Sequence, residues 1–128
     1  MTSEPSFPDL HGLRVFLVED EAMVSMMLED TLVELGCVVT GVAASVTEAL
    51  SCVGSTPAID AAILDVHRGG ELVFPVADVL RERRVPLVFS TGFGPADLAA
   101  RYPASRLLNK PYAPEALAAV LHDFLDAA

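Results

Sequence analysis

Short apolar runs alternate along the chain with stretches in which apolar residues recur every three or four positions. Residues 13–18 are apolar throughout except for Arg14, the pattern of a strand buried on both faces. From 21 to 35, Val24, Met27, Leu28, Thr31, Leu32 and Leu35 share one side of a helix, and Gly36 stands where that helix should stop. Residues 37–43 are β-branched enough to predict a second strand. Ser45-Val46-Thr47-Glu48 has the capping-box spacing and opens a helix toward Cys52. A third strand is predicted over 59–64, ending on Asp65. Residues 71–84 predict a helix that tolerates Pro75 only in its first turn. A fourth strand covers 86–90. A short helix at 96–101 follows the run Thr91-Gly92-Phe93-Gly94, and a brief fifth strand covers 106–108. Residues 114–125 predict a closing amphipathic helix with Pro114 at its start.

Five repeats of strand and then helix predict an α/β fold, a doubly wound five-stranded parallel sheet. With right-handed crossovers the simplest topology is the flavodoxin-like (βα)5 order 2-1-3-4-5. Ligands of such sheets bind beyond the carboxyl ends of the strands, at the switch point between strands 1 and 3.

Composition narrows the picture. A chain of 128 residues is the size of one domain, so no output domain is expected beside it. Residues 1–12 predict a flexible tail and 13–128 the domain proper. Hydrophobic residues make up 52% and charged residues 20%, which excludes a disordered chain. The net charge of −10 argues against nucleic acid or an anionic membrane as partner, since both attract basic surfaces. The mean hydropathy is high, at +0.47, yet the longest run free of charged residues, 35–47, contains Gly36 and Gly41 and is too short to span a bilayer. The first twelve residues lack the basic and apolar regions of a signal peptide, so the expected location is the cytoplasm. Cys37 and Cys52 sit in apolar surroundings and read as reduced thiols of the core rather than a disulfide framework.

The chemistry gathers at the predicted carboxyl ends of the strands. Strand 1 ends in Glu19-Asp20-Glu21, strand 3 in Asp65, strand 4 in Ser90-Thr91 and strand 5 in Asn109-Lys110-Pro111. Strands 1 and 3 are neighbours in this topology, so Glu19, Asp20 and Asp65 should converge. Like charges so close need a counter-ion, and a hard, oxygen-seeking cation such as Mg²⁺ supplies one while keeping sites for water and a phosphoryl oxygen. Lys110 adds a point charge and Thr91 a hydroxyl. Together these make a phosphoryl-transfer site with Asp65 as the nucleophile that forms an aspartyl phosphate. Singly, each residue has a plainer explanation: Glu21 could cap the following helix and Asp65 could serve a turn. The weight lies in the set.

In these residues the chain resembles the receiver domains of two-component response regulators, from about Leu13 to Leu125. The resemblance is carried by Val18-Glu19-Asp20-Glu21, Leu64-Asp65, Thr91-Gly92 and Lys110-Pro111, in order and on the expected elements. Phe89-Ser90-Thr91-Gly92-Phe93-Gly94 is similar to the Phe-Ala-Thr-Gly-type run of a mostly single-domain receiver subfamily. The resemblance implies that Asp65 is the phospho-acceptor, that Asp20 ligates Mg²⁺ directly and Glu19 through water, and that His67 offers its backbone carbonyl to the metal. It further implies that the Thr91 hydroxyl and the Lys110 amine meet the phosphoryl group, and that the Lys110–Pro111 bond is cis. The position three residues before the lysine, often Tyr or Phe in such domains, is Leu107. Tyr112, after the lysine, is a poor substitute, so activation is expected to rearrange residues 92–102 instead.

The function so implied is a stand-alone receiver that takes a phosphoryl group from a phosphohistidine and is not itself an enzyme in the usual sense. Its expected partners are a histidine kinase or histidine phosphotransfer protein and a downstream protein target, with a phosphate sink or relay intermediate as the alternative. Met23 and Met26 lie beside the apolar stripe of the first helix and suggest a docking patch for the phosphodonor protein. A flavodoxin-like flavin carrier would need a phosphate-binding loop where Glu19-Asp20-Glu21 stands. An aspartyl-nucleophile phosphatase would need an acid at His67, and a degenerate scaffold would not keep the whole set. His11 and His122 have no second ligand at metal spacing and read as surface residues.

Overall fold

The computed structural model describes residues 10–56, 58–66, 73–91, 102, 104–109 and 113–127, with the side chains of Thr91, Asn109 and residues 125–127 excepted. Five strands, β1 (Arg14–Val18), β2 (Val38–Ala43), β3 (Ala61–Val66), β4 (Leu87–Thr91) and β5 (Arg106–Asn109), form one parallel sheet in the order β2-β1-β3-β4-β5. Helices α1 (Ala22–Glu34), α2 (Val46–Ser55), α3 (Phe74–Glu82) and α4 (Pro114–Ala127) cover it. This is the flavodoxin-like order expected from the strand–helix alternation. The helix expected at 96–101 lies outside the described residues.

Alternation within each strand divides the core into two layers. Phe16, Val18, Ala62, Leu64, Leu87 and Phe89 meet α2 and α3 through Ala49, Val53, Val76, Ala77 and Leu80. Val15, Leu17, Ala61, Ile63 and Val88 meet α1 and α4 through Leu28, Leu32, Leu117, Ala118 and Leu121. The central strand β3 is buried along its whole length, as a strand covered on both faces must be. At the edge, Gly41 pairs with Phe16, and a Cβ at 41 would stand 3.1 Å from the Phe16 ring, so the ring occupies the space a side chain would need.

Three helix ends follow from local chemistry. At α2, Ser45 Oγ accepts from the Glu48 amide (3.1 Å) while the Glu48 carboxylate accepts from the Ala44 amide (2.7 Å), the reciprocal bonding predicted from the spacing. At α1, Gly36 (φ +94°) stops the helix, with Gly36 N–H on the Val33 carbonyl and Cys37 N–H on that of Leu32. At α3 the same pair of bonds forms, Arg84 N–H to Arg81 and Val85 N–H to Leu80, but the left-handed position is held by Arg84 (φ +63°).

Several expectations need correction. Helix α3 begins at Phe74 rather than 71, because Pro75 has to lie in the first turn. The buried stripe of α1 is Ser25, Leu28 and Leu32, whereas Met27, expected inside, is exposed and Val24 and Leu35 are half-buried. Of residues 1–12, positions 10–12 are described, and they are tied in: Leu10 is fully buried and Gly12 N–H bonds the Gly36 carbonyl at 2.7 Å. Cys37 is buried, and that burial pushes its thiol up to about 11, while Cys52 is half-buried. Both are free thiols. Among the described residues no helix is long and apolar enough to cross a membrane.

Candidate functional site

Three carboxylates come together at the carboxyl ends of β1 and β3. Glu19 follows β1 directly; its N–H donates to the Ala43 carbonyl at 2.9 Å, continuing the β1–β2 pairing by one step. Its side chain turns inward, 3% exposed, and Oε2 accepts the Glu21 amide at 3.2 Å. Glu21 is the N-cap residue of α1, yet its own side chain makes no capping bond, so the plain capping role for that residue is not realised. Asp20 lies between them and is exposed, while Asp65, the fifth residue of β3, is 5% exposed. One carboxylate oxygen from each of Glu19, Asp20 and Asp65 lies within 4.8 Å of the other two. They line a cleft of about 320 Å³ whose other walls are Val18, Val73 and the turn Ala44–Thr47 into α2. A larger concavity, about 1050 Å³, opens at the opposite, amino-terminal end of the sheet, where the acid among its lining groups, Asp60, is paired with Arg14. The three-carboxylate cluster therefore lies in the smaller cleft.

The donor set suits a hard divalent cation. Mg²⁺ holds its ligands at roughly 2.0–2.1 Å, so ligands on opposite sides of it stand about 4.2 Å apart. One carboxylate oxygen from each of Glu19, Asp20 and Asp65 falls close to this span, so the three could share one hard cation. The three side chains also carry three formal negative charges, two of them on buried groups, an arrangement that a cation relieves.

The sheet fixes where the remaining predicted residues fall. Thr91 closes β4 opposite Val66, one step beyond Asp65, and Asn109 lies opposite Thr91 at the end of β5. The side chain of Thr91 and all of His67, Lys110 and Pro111 lie outside the described residues; in the chain they directly follow Thr91's neighbours Val66 and Asn109. Two features were missed in the sequence. Ser90, read from the sequence only as part of the end of strand 4, is the register partner of Asp65 and is itself buried, a placement that depends on the register of β3 against β4. Tyr102 is buried against α3 and β4, a position with no periodic signal because it precedes β5 outside any element.

Comparison with known proteins agrees with this geometry. No family model matches the chain. A response regulator receiver protein from Sinorhizobium medicae is 30% identical, with a TM-score of 0.79 over 92% of this chain and 98% of that one. The chain belongs to the response-regulator receiver family. SdrG from Sphingomonas melonis is 39% identical over 89% of this receiver and 97% of its own length, with a TM-score of 0.73. The phyllosphere-induced regulator PhyR of Methylorubrum extorquens is 30% identical over 114 residues, covering 87% of the receiver. The receiver spans less than half of that regulator's length, 43%.

Proposed function

We propose that this receiver accepts a phosphoryl group on Asp65 from a phosphohistidine, with Mg²⁺ held by Asp20 and Asp65 directly and by Glu19 through water. The observation behind this reading is the convergence of the three carboxylates within 4.8 Å at the switch point of the sheet. When bound, the cation would neutralise charge on the incoming phosphoryl oxygens. Asp65 does the covalent work: one carboxylate oxygen forms the new bond to phosphorus as the phosphorus–nitrogen bond of the donor breaks and its electron pair returns to the imidazole. Glu19 and Asp20 hold the carboxylate cluster in place from the end of β1. Thr91 is the last residue of β4 and Lys110 follows β5 in the chain; in this reading their hydroxyl and amine meet the transferred group.

The phosphodonor is a protein, and α1 offers the surface for it. Met23, Met26 and Met27 are all exposed, Met23 at 77%, on the turns of the helix that leave the acidic cleft. Flexible thioethers beside a phosphoryl site suit a docking helix of a histidine kinase or phosphotransfer protein. In this reading the receiver turns over no substrate of its own beyond the gain and loss of its phosphoryl group, and it signals by contact with a further protein.

The test is treatment with acetyl phosphate and Mg²⁺, read by intact mass. Wild type should gain one phosphoryl group, and Asp65→Asn should gain none. Labelling that survives the substitution would remove Asp65 from the acceptor role.

A further inference from the structure

Ser90 occupies a costly position. It is 2% exposed, and its hydroxyl has no hydrogen-bond partner among the described residues. Buried hydroxyls are nearly always bonded, and alanine would fill the same space without that cost. The neighbours of Ser90 give the position its meaning. In the parallel pairing of β3 with β4 it stands directly opposite Asp65, and on its other side it stands opposite Leu108 of β5. Register partners on adjacent strands point to the same face and lie about 4.8 Å apart, so rotation about one side-chain bond brings a serine hydroxyl within reach of a facing carboxylate.

We propose that Ser90 is a positioning residue for the acceptor: its hydroxyl donates to the carboxylate of Asp65 and thereby shortens the life of the phosphoryl group there. The inference rests on Asp65 being the acceptor. A hydroxyl bonds a carboxylate anion more strongly than the acyl oxygen of an aspartyl phosphate, because only the anion provides a charge-assisted bond. The donor therefore favours the state in which Asp65 is a free carboxylate and the transition state that leads back to it. In that hydrolysis, a water oxygen bonds to phosphorus as the phosphorus–oxygen bond to Asp65 breaks. The bonding pair returns to the carboxylate and the proton of the water passes to solvent. Ser90 keeps its own proton throughout.

The experiment labels wild type, Ser90→Ala, Ser90→Thr, Ser90→Cys and Asp65→Asn with acetyl phosphate and Mg²⁺, removes the donor, and follows the decay by intact mass. Ser90→Ala should decay about three- to tenfold more slowly, as loss of one charge-assisted bond implies, with a melting temperature equal to or above that of wild type. Ser90→Thr, which restores the hydroxyl, should return toward the wild-type rate. Ser90→Cys, of similar size but a weak donor, should decay like alanine. Wild-type decay in Ser90→Ala, or slow decay in Ser90→Thr alongside slow alanine, would overturn the role of the hydroxyl. A label on Asp65→Asn would instead overturn the acceptor reading, whatever the serine variants do.

Discussion

The Tyr102 hydroxyl donates a 2.7 Å hydrogen bond to Oδ1 of Asp78, tying the residue that leads into β5 to helix α3. Its ring lies 5.2 Å from that of Phe89 and 5.9 Å from that of Phe74, and the Arg81 guanidinium sits 5.2 Å from the ring centre. Receivers often place an aromatic residue on β5 where this chain has Leu107. Here the buried aromatic stands five residues earlier and packs on the strand that ends at Thr91. Tyr102→Phe keeps the ring and should cost about 1 kcal/mol of unfolding free energy, while Tyr102→Ala should cost about 3–5 kcal/mol. Urea unfolding separates the two; equal losses would mean that the hydroxyl contributes everything and the ring nothing.

The two left-handed helix ends should respond in opposite directions. Arg84→Gly removes a side chain from a backbone conformation that L-residues resist and should stabilise by about 1 kcal/mol. Gly36→Ala should destabilise by about 1–2 kcal/mol, since a Cβ there would also stand 3.0 Å from the His11 backbone. Paired denaturation curves check both signs.

At the amino-terminal end of the sheet, Asp60 clasps β1 to β3. Its carboxylate accepts from the Arg14 backbone (2.8 Å) and from the Arg14 guanidinium (2.9 and 3.1 Å). The side-chain bond to Arg14 holds the Asp60 carboxyl below its usual range. A carboxyl so depressed stabilises the fold above its unfolded-state value, about pH 4, and loses that contribution as pH falls through its lower, folded-state value. Wild type should therefore lose more stability between pH 6 and pH 3 than Asp60→Asn does. Identical pH dependence in the two proteins would show that the clasp is not felt on folding.

Docking on α1 predicts a split between phosphodonors. Met26→Glu places a charge on the exposed methionine face, away from the buried residues Ser25, Leu28 and Leu32. Transfer from the cognate histidine kinase should slow about tenfold, while labelling by acetyl phosphate stays at the wild-type rate. Equal loss with both donors would place the defect in the acidic cleft rather than on the docking surface.

The strand order, the capping box at Ser45 and Glu48, and the gathering of Glu19, Asp20 and Asp65 could all be read from the chain alone. Each depends on a local period or on a rule of topology: apolar runs mark the strands, and residues just past them share one end of a parallel sheet. The buried face of α1 could not be read this way, because methionine, leucine and valine encircle much of that helix and hydrophobicity alone does not choose among them. Burial went to Ser25, Leu28 and Leu32, which face the sheet, and left three methionines outside. Arg84 gave no sign of a left-handed turn, since glycine is the residue that marks one. The pairing of Ser90 with Asp65 and of Tyr102 with Asp78 joins residues 25 and 24 positions apart. Those contacts exist only once the register of β3 against β4 and the packing of the chain before β5 against α3 are set, and both are set by burial of the whole sheet rather than by any local pattern.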